Sequence, residues 1–283
     1  MNYFTFNLSS KQLNTLADHY KNNIESVRNF HIEFSAYVND ITINAYKTGK
    51  VVLQGPILTT EIASIKSLLK IEDYAAIGSD EVGTGDLFGP VVVCASYVSK
   101  DDIPFLEELN VRDSKGIPTR EILRLAKALV NRIEYSLVIL TPKQYNSMVE
   151  KGFNLNKIKA FLHNHAIIRL TSKVQDKVPV IVDQFCTPKN YFNYLKDESY
   201  VYHDIVFHKQ AEKVHLSVAA SSIIARYAFL AKMHEYSKTY KTKLKLGASK
   251  EAYAQFEQLV KDQGKGIIPD LVKTNFKNVK ELM

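Results

Sequence analysis

The sequence predicts an α/β protein in which a large domain with a mixed sheet covered by helices follows a small α+β domain. From residue 74 onward, short apolar runs alternate with segments of helical periodicity, as in sheets flanked by helices. Residues 1–70 instead contain alternating strands and only two helical segments. Hydrophobic residues make up 46% of the 283 residues and charged residues 24%, which is typical of a soluble globular protein. We therefore predict domains at residues 1–70 and 74–283.

The N-terminal domain is predicted to start with a strand in NYFTFNL, where polarity alternates. A helix follows in SSKQLNTLADHYKNN, which offers a serine cap and apolar residues at helical spacing. The alternating strands FHIEFSAYV and ITINAYK are joined by Asn39-Asp40, a pair typical of hairpin turns. After a turn in KTGK, VVLQG is a further strand and EIASIKSLLKI an amphipathic helix, so the linker lies near residues 70–75.

The C-terminal domain is predicted to start with the strands YAAIGSD and FGPVVVCASYV. The helix TREILRLAKALVNRI, the strand EYSLVIL and the helix NLNKIKAFLHNHAIIRLTSKV follow, the last with Asn154 as its cap. VPVIVDQF and DIVFHKQ are two more strands. LSVAASSIIARYAFLAKMHEY is a long apolar helix whose small residues favour close packing, and SKEAYAQFEQLVKDQG is a last helix that ends at Gly264.

The net charge of +7 and the isoelectric point near 9.1 fit two interpretations. One is a mildly basic cytoplasmic protein, and the other is a protein whose partner is a polyanion, because a positive field attracts phosphates. Cys94 and Cys186 lie in or beside apolar runs without CxxC spacing, so we expect reduced core residues and no disulfide framework. The N-terminus does not read as a signal peptide, and no stretch approaches the ~20 apolar residues of a membrane span. We expect a cytoplasmic protein with no membrane partner.

The segment GSDEVGTGDLFGP, residues 78–90, places Asp80 and Glu81 between two apolar strands. A carboxylate that ends a strand lies at the sheet edge, where α/β proteins commonly bind ligands. Adjacent strand residues point to opposite faces, so both acids reach one point only if the backbone twists there or one acts through its backbone. Gly83 and Gly85 permit such geometry. The alternative is a polar turn with its acids in water.

Asp183 ends VPVIVDQF, a run too apolar for a surface strand. Because a buried carboxylate is costly unless it is paired or metal-bound, two strands that both end in Asp favour convergence on a cation. Glu212 lies where a strand gives way to the long helix, and Asp204 is a competing candidate nearby. Strand-end and helix-start acids are also common as purely structural residues.

Carboxylates without a His/Cys ligand set suit Mg²⁺ or Mn²⁺. Two such ions ~3.5–4 Å apart hold the attacking and leaving oxygens of a phosphodiester. An acid cluster in a basic protein therefore indicates phosphoryl chemistry on nucleic acid.

The polar residues near these acids allow a structural or a phosphate-binding interpretation. The glycine loop could bind phosphate oxygens through its N–H groups, although it lacks the P-loop lysine. Ser114 and Lys115 either form a turn or hold a phosphate or sugar hydroxyl, and Lys143 has the same ambiguity. His163 and His165, two apart on a predicted helix, are interpreted as structural or solvent-facing. The lysine-rich segment 238–250 is a solvated loop or a basic patch that contacts a nucleic-acid backbone.

Four motifs in order, GSDEVGTGDLFGPVVV, VRDSK, VIVDQF and AEKVHLSVAASSIIARYAF, resemble the signatures of bacterial type 2 ribonuclease H. The GTG form, the N-terminal extension and NLNKIKAFLHNHAI are similar to its ribonuclease HIII branch. The resemblance covers residue 74 to about residue 280. It implies a ribonuclease H-like mixed sheet flanked by helices, and a small N-terminal domain similar to the TATA-binding-protein fold that grips the duplex.

The resemblance also implies endonucleolytic cleavage of the RNA strand of RNA–DNA hybrids, with Mg²⁺ or Mn²⁺, to give 5′-phosphate and 3′-hydroxyl ends. Two ions are expected with substrate, one activating water and the other stabilising the leaving oxygen. Asp80, Glu81 and Asp183 match the first three metal-site acids of the family. Glu212 matches the fourth by its spacing from SSIIAR, where the sister branch has Asp. We expect a monomer without an organic cofactor.

From the resemblance, we expect the backbone of Gly83, Thr84 and Gly85, with Ser114 and Lys115, to position the scissile phosphate and probe 2′-hydroxyls. The sister branch, ribonuclease HII, typically has GRG, and it recognises a lone ribonucleotide in DNA. Because Thr84 replaces that arginine, we predict cleavage within runs of ribonucleotides and weak or no incision at single ones.

Two other functions fit parts of the sequence. A binding or architectural protein without catalysis would explain the basic charge but not the clustered acids, and metal-dependent nicking of a hybrid separates it from an enzyme. A nucleotide-binding phosphotransferase built on the GTG loop lacks the P-loop lysine, and failure to bind ATP would exclude it.

Overall fold

The structure is a computed structural model that describes residues 2–26, 29–111, 116–276 and 279. Contacts divide the chain into two compact units, Met1–Tyr74 with Lys100–Val111, and Ala75–Ser99 with Arg112–Met283. The division after Tyr74 falls in the predicted linker. Lys100–Val111, by contrast, was predicted within the second domain but groups with the first unit. The reason is an ion cluster, since Lys66 binds both Asp73, at 2.8 Å, and Glu107.

The first unit consists of a five-stranded antiparallel sheet with helices. Its elements are β1 (Asn2–Asn7), α1 (Ser10–Tyr20), β2 (Ile24–Glu25), β3 (Ile32–Val38), β4 (Ile41–Tyr46), β5 (Lys50–Gly55), α2 (Thr59–Leu69), a 3₁₀ turn (Lys100–Asp102) and α3 (Ile103–Glu108). The strand order is β1-β5-β4-β3-β2. The alternation that predicted the strands places one set of apolar side chains on the core side. Leu16 of α1 and Ile65 of α2 are buried in the same core.

The predicted local signals of this unit are confirmed. Ser9 caps α1, and its backbone N–H donates to Oε1 of Gln12 at 3.0 Å, which completes a capping box. Asn39 and Asp40 join β3 to β4 with φ values of +49° and +61°, as a tight hairpin turn requires.

The second unit contains a five-stranded mixed sheet with helices on both faces, as predicted. Its elements are β6 (Ala76–Val82), β7 (Val91–Val98), α4 (Thr119–Val130), β8 (Tyr135–Leu140), α5 (Pro142–Glu150), α6 (Leu155–Thr171), β9 (Val180–Asp183), α7 (Pro188–Tyr194), β10 (Ile205–His208), a 3₁₀ turn (Ala211–Lys213), α8 (Leu216–Thr239), α9 (Lys250–Gln263), a 3₁₀ turn (Lys265–Ile267) and α10 (Ile268–Leu271). The strand order is β10-β9-β6-β7-β8. Strands β6, β9 and β10 are parallel, whereas β7 is antiparallel to β6 and β8.

The strand register aligns several strand ends at one edge of this sheet. Asp183, the last residue of β9, pairs with His208, the last residue of β10. At the same edge, the end of β6 meets the start of β7 through the pair Val82 and Val92. Leu140, which ends β8, pairs with Val91. We name this edge the carboxyl edge, because the parallel strands β6, β9 and β10 all end there.

Helix α8 packs on one face of the sheet at very close range. Ser221 donates from Oγ to the carbonyl of Gly78 at 2.9 Å, and a Cβ on Gly78 would clash with the backbone N of Val218. The predicted role of small residues in close packing is therefore confirmed. Within the described ranges, α8 is the one helix long and apolar enough to cross a membrane, but 67% of its most apolar window is buried inside the protein. It is the core helix of this unit.

Helix α6 packs on the opposite face, and its buried residues form one cluster with the inward side chains of β6, β7 and β9. Asn154 caps α6 by accepting from the N–H of Lys157 at 2.8 Å, as predicted. Helices α3, α5, α7 and α10 were not predicted, because each is short. Strand β6 also continues past its predicted end at Asp80 to Val82.

Candidate active site

Asp80 and Glu81 lie within β6, near its carboxyl-edge end, and their side chains point to opposite faces of the sheet. Asp80 faces α8, where Ser222 hydrogen-bonds its carboxylate. Glu81 faces α6, where it contacts Lys159 and His163. The two acids are therefore joined by the backbone rather than side by side, and Oδ1 of Asp80 accepts from the N–H of Glu81 at 2.8 Å.

The Asp80 carboxylate lies in an unfavourable electrostatic environment. Burial, followed by the negative charges of Glu81 and Asp183, raises its pKa to about 7, although hydrogen bonds from Ser222 and the Glu81 N–H act in the opposite direction. The charges that act on this group are thus of its own sign. A cation bound beside Asp80 would offset the free-energy cost of its buried negative charge.

Asp183 contacts the turn that carries Glu212 at the carboxyl edge. Oδ1 of Asp183 accepts from the backbone N–H of Ala211 at 3.1 Å, and Glu212 is the next residue, in the 3₁₀ turn that follows β10. The competing candidate Asp204 precedes β10 and is exposed. Four residues of strand separate it from the carboxyl edge, or ~13 Å at ~3.3 Å per residue. The geometry therefore favours Glu212 over Asp204 as the neighbour of Asp183.

Both carboxylate oxygens of Glu81 have cationic or polar partners on α6. Oε1 pairs with Nζ of Lys159, and Oε2 lies 3.0 Å from Nε2 of His163. Burial alone would raise the pKa of Glu81, but the hydrogen bond to His163 and the charges of His163 and Lys159 outweigh it and lower the pKa. Asp80 and Glu81, adjacent in sequence, are therefore perturbed in opposite directions.

The prediction that His163 is structural or solvent-facing missed this contact. His163 is fully buried, whereas Nδ1 of His165 only bonds the carbonyl of Phe161, at 2.9 Å. The available signal was the spacing of Lys159 and His163, because residues four apart share one face of a helix. A buried lysine and histidine on one face predict an acid opposite them.

The glycine loop leaves β6 through a left-handed turn. Gly83 has φ +93°, and a Cβ there would clash with the carbonyl oxygen of Pro90, so this position requires glycine. Thr84 is half-buried and Gly85 is exposed. No atom of the described residues lies within 4 Å of a Cβ built on Gly85, so packing against them does not demand glycine there.

The segment after this loop is held by the C-terminal part of the chain. Asp86 accepts at Oδ1 from the N–H of Gly247 at 2.5 Å. The fully buried Lys273 donates from Nζ to the carbonyl of Gly89 at 2.7 Å. Burial lowers the pKa of Lys273 to about 7, against the nearby charge of Asp86. Two distant segments thus fix the position of the loop.

Of the other predicted substrate-binding residues, Lys143 has a described position. Lys143 lies in the first turn of α5, directly after β8 ends at the carboxyl edge, and its side chain is 76% exposed, with Nζ 3.8 Å from an Asp270 oxygen. Ser114 and Lys115 lie outside the described residues. The lysines of the 238–250 segment are exposed.

The residues present fit a divalent cation in chemistry, although they do not form a ready-made cage. Among the described residues, no three His, Cys, Asp or Glu side chains are grouped closely enough to hold a metal ion. Asp80 and Asp183, however, interact electrostatically, and Asp80 is surrounded by charge of its own sign. Carboxylate oxygens are the ligands that Mg²⁺ and Mn²⁺ prefer, so Asp80, Asp183 and Glu212 are the residues that would hold such an ion. Glu81 would join them on release of its ion pair with Lys159.

Comparison with protein families gives two matches along the chain. A family model described as Ribonuclease HII matches residues 77–279. A second, described as Domain of unknown function (DUF3378), matches residues 4–64. The first match covers most of the second structural unit together with Lys100–Val111 of the first, and the second match lies within the first unit.

Individual proteins match over nearly the whole chain. Ribonuclease HIII of Phytoplasma mali (strain AT) is 47% identical, over 99% of this chain and 98% of that protein. Ribonuclease HIII of Bacillus mycoides (strain KBAB4) is 38% identical, over 88% and 87%. Among solved structures, Bst-RNase HIII in complex with Mn²⁺ matches with a TM-score of 0.75 at 32% identity, over 99% of this chain and 97% of that chain.

Proposed function

This chain belongs to the ribonuclease HII family of nucleases, in its ribonuclease HIII branch, and from this membership we propose that it hydrolyses the RNA strand of RNA–DNA hybrids as a divalent-metal-dependent endonuclease. The products proposed are 5′-phosphate and 3′-hydroxyl ends. The observation that carries the proposal is the environment of Asp80, a buried carboxylate near the carboxyl edge whose pKa is raised by burial and by the negative charges of Glu81 and Asp183. A group in that state suits a site completed by cations.

In this proposal each residue has a separate task. Two divalent ions, when bound, would supply the charge that activates water and stabilises the leaving oxygen. Asp80 and Asp183 hold the ions from neighbouring strands, and Glu212 does so from the turn after β10. Glu81 completes the acid set from the α6 face.

Substrate positioning falls to the residues that surround these acids. The backbone of Gly83–Gly85 lies at the carboxyl edge, where its N–H groups would position the scissile phosphate. Thr84 would probe the sugar of the RNA strand. Lys143, which is exposed at the same edge, would contact the phosphate backbone of the nucleic acid. Ser114 and Lys115 share this role in the proposal.

Residues 1–70 are proposed as the domain that grips the duplex. The face of its sheet opposite the core carries polar and aromatic side chains on paired strands. Tyr3 and Thr42 each pair with Gln54, and Tyr37 pairs with Thr42. A face of this kind can contact the wide, shallow minor groove of an A-like hybrid by shape, without reading bases.

A panel of labelled duplexes tests the proposed substrate. With Mg²⁺ and then Mn²⁺, we expect cuts throughout the RNA strand of a uniform hybrid, and little or none in double-stranded RNA or in DNA containing one ribonucleotide. The reason is that Thr84 lacks the guanidinium which an arginine would place at a lone ribonucleotide. Thr84→Arg, which introduces that guanidinium, is the matched variant. Cutting of the single-ribonucleotide duplex by the unmodified protein would contradict the predicted preference.

Replacing each of the two candidates for the fourth acid, Glu212 and Asp204, by its amide gives a second prediction. Glu212→Gln should reduce the cleavage rate by about 10- to 100-fold, because it removes a ligand charge beside Asp183. Asp204→Asn, an exposed change at the opposite end of β10, should leave the rate and the stability within error of the unmodified protein. Single-turnover kinetics on a uniform hybrid measure both. A larger loss from Asp204→Asn would reverse the assignment.

A further inference from the structure

The two adjacent acids of β6 differ in how their charge is compensated. Asp80 has hydrogen-bond donors but only negative charges acting on it. Glu81 already has a cation, because Nζ of Lys159 pairs with its Oε1. The Glu81 side of the site is therefore neutralised by the chain itself before any metal binds.

His163, on α6, is held against β6 and contacts the other oxygen of Glu81. Its Nδ1 lies 2.7 Å from Oγ of Ser79, a residue of β6 itself, and its Nε2 lies 3.0 Å from Oε2 of Glu81. The ring stacks on Phe185 with the centroids 5.4 Å apart, and the residue is fully buried. A ring held on two sides and packed on a third keeps its place when the charges around it change.

Lys159 is also buried, but among the described residues its ammonium group has one polar partner, against two for the ring of His163. Its ammonium group lies 4.0 Å from the centre of the Phe185 ring and forms one ion pair, with Glu81, at the end of a four-carbon chain with several rotatable bonds. Lys159 and His163 are one helical turn apart on α6 and reach the same carboxylate. One of these contacts can therefore be released while the other is kept.

We propose that Lys159 is a resident counter-ion which competes with the divalent ion for Glu81, whereas His163 is the positioning residue that keeps Glu81 in place during the exchange. The inference rests on the proposed metal-dependent function and deepens it. It predicts that two neighbours of one carboxylate affect metal affinity in opposite directions. A purely structural role for both would move them in the same direction.

The test is Mn²⁺ binding to the EDTA-treated full chain by titration calorimetry, without nucleic acid. Lys159→Met removes the competing charge and should tighten Mn²⁺ binding by about tenfold, because a positive charge near the ion is lost. It should also lower the melting temperature of the metal-free protein, since a buried carboxylate loses its partner. His163→Phe keeps the ring but loses the donor, and should weaken Mn²⁺ binding by about 10- to 100-fold.

Conservative and paired variants serve as controls. Lys159→Arg should retain the affinity of the unmodified protein, because the charge remains, and His163→Gln should recover part of the loss in His163→Phe. The double variant Glu81→Gln/Lys159→Met removes both charges, so it should fold normally and lose the tighter binding of Lys159→Met.

The outcomes separate the inference from the proposed function. If the unmodified protein cleaves a uniform hybrid in EDTA, the metal-dependent function itself is overturned. If cleavage needs metal but the free protein binds no Mn²⁺, the counter-ion role alone is overturned. If it binds Mn²⁺ and Lys159→Met binds equally or more weakly, only the counter-ion role is overturned. Tighter binding in Lys159→Met together with weaker binding in His163→Phe supports it.

Discussion

Asp80→Asn is expected to abolish cleavage of an RNA–DNA hybrid while leaving hybrid binding nearly intact. The change removes the negative charge of a buried carboxylate that faces α8 and interacts electrostatically with Asp183, and it keeps the size of the side chain. A loss of about 4 kcal/mol in transition-state stabilisation corresponds to about a thousandfold in rate. Single-turnover cleavage of a labelled hybrid measures the rate, and a gel-shift titration with the same duplex measures binding.

The same variant should be more stable than the unmodified protein when metal is removed. The pKa of Asp80 is about 7 in the folded protein, against 3.8 for an unperturbed Asp. The folded state therefore takes up a proton that the unfolded chain has already released. This contribution to stability is fully present below pH ~4 and is lost as the pH rises through about 7.

Urea unfolding in EDTA at pH 5 and pH 8 checks the sign. At pH 8 the Asn variant should exceed the unmodified protein by roughly 2–4 kcal/mol, and at pH 5 the difference should shrink. Excess Mn²⁺ at pH 8 should stabilise only the unmodified protein appreciably, because a ligand of the folded state adds to its free energy of unfolding. Substantial cleavage by Asp80→Asn, or lower stability at pH 8, would contradict the role assigned to Asp80.

The residues that the sequence predicted well are those whose signal is local. Asp183 could be placed at a strand end because the apolar run before it has the length and composition of a buried strand. The caps at Ser9 and Asn154 depend on their immediate neighbours alone, and the small residues of α8 predicted its close approach to Gly78. In each case the physical cause lies within a few residues of the feature.

The residues that the sequence missed depend on contacts across the sheet. Glu81 meets Lys159 and His163 only because α6 covers the face opposite Asp80, and strand order and register set that arrangement. Asp86 acquires a partner 161 residues away, at Gly247. No short-range pattern specifies such pairs, so the motif resemblance could suggest the acids but not the groups that hold them.

Gly83 and Gly85 were expected to share one role in substrate binding, and the structure predicts different consequences for replacing them. Gly83→Ala should destabilise the protein by about 3 kcal/mol or more. A left-handed φ costs about 1–2 kcal/mol for a residue with a Cβ, and the clash with Pro90 adds to it. Thermal or urea unfolding should show this loss at every metal concentration.

Gly85→Ala should leave the free energy of unfolding within about 0.5 kcal/mol, because its φ is not left-handed and no atom of the part of the chain that the structure describes meets the added Cβ. If its backbone approaches the scissile phosphate as proposed, the added methyl group lies where the substrate would lie. KM for a uniform hybrid should then rise while the fold is unchanged. An unchanged KM in a well-folded Gly85→Ala variant would remove Gly85 from the substrate-binding residues, and it would leave Gly83 as the glycine that the fold itself requires.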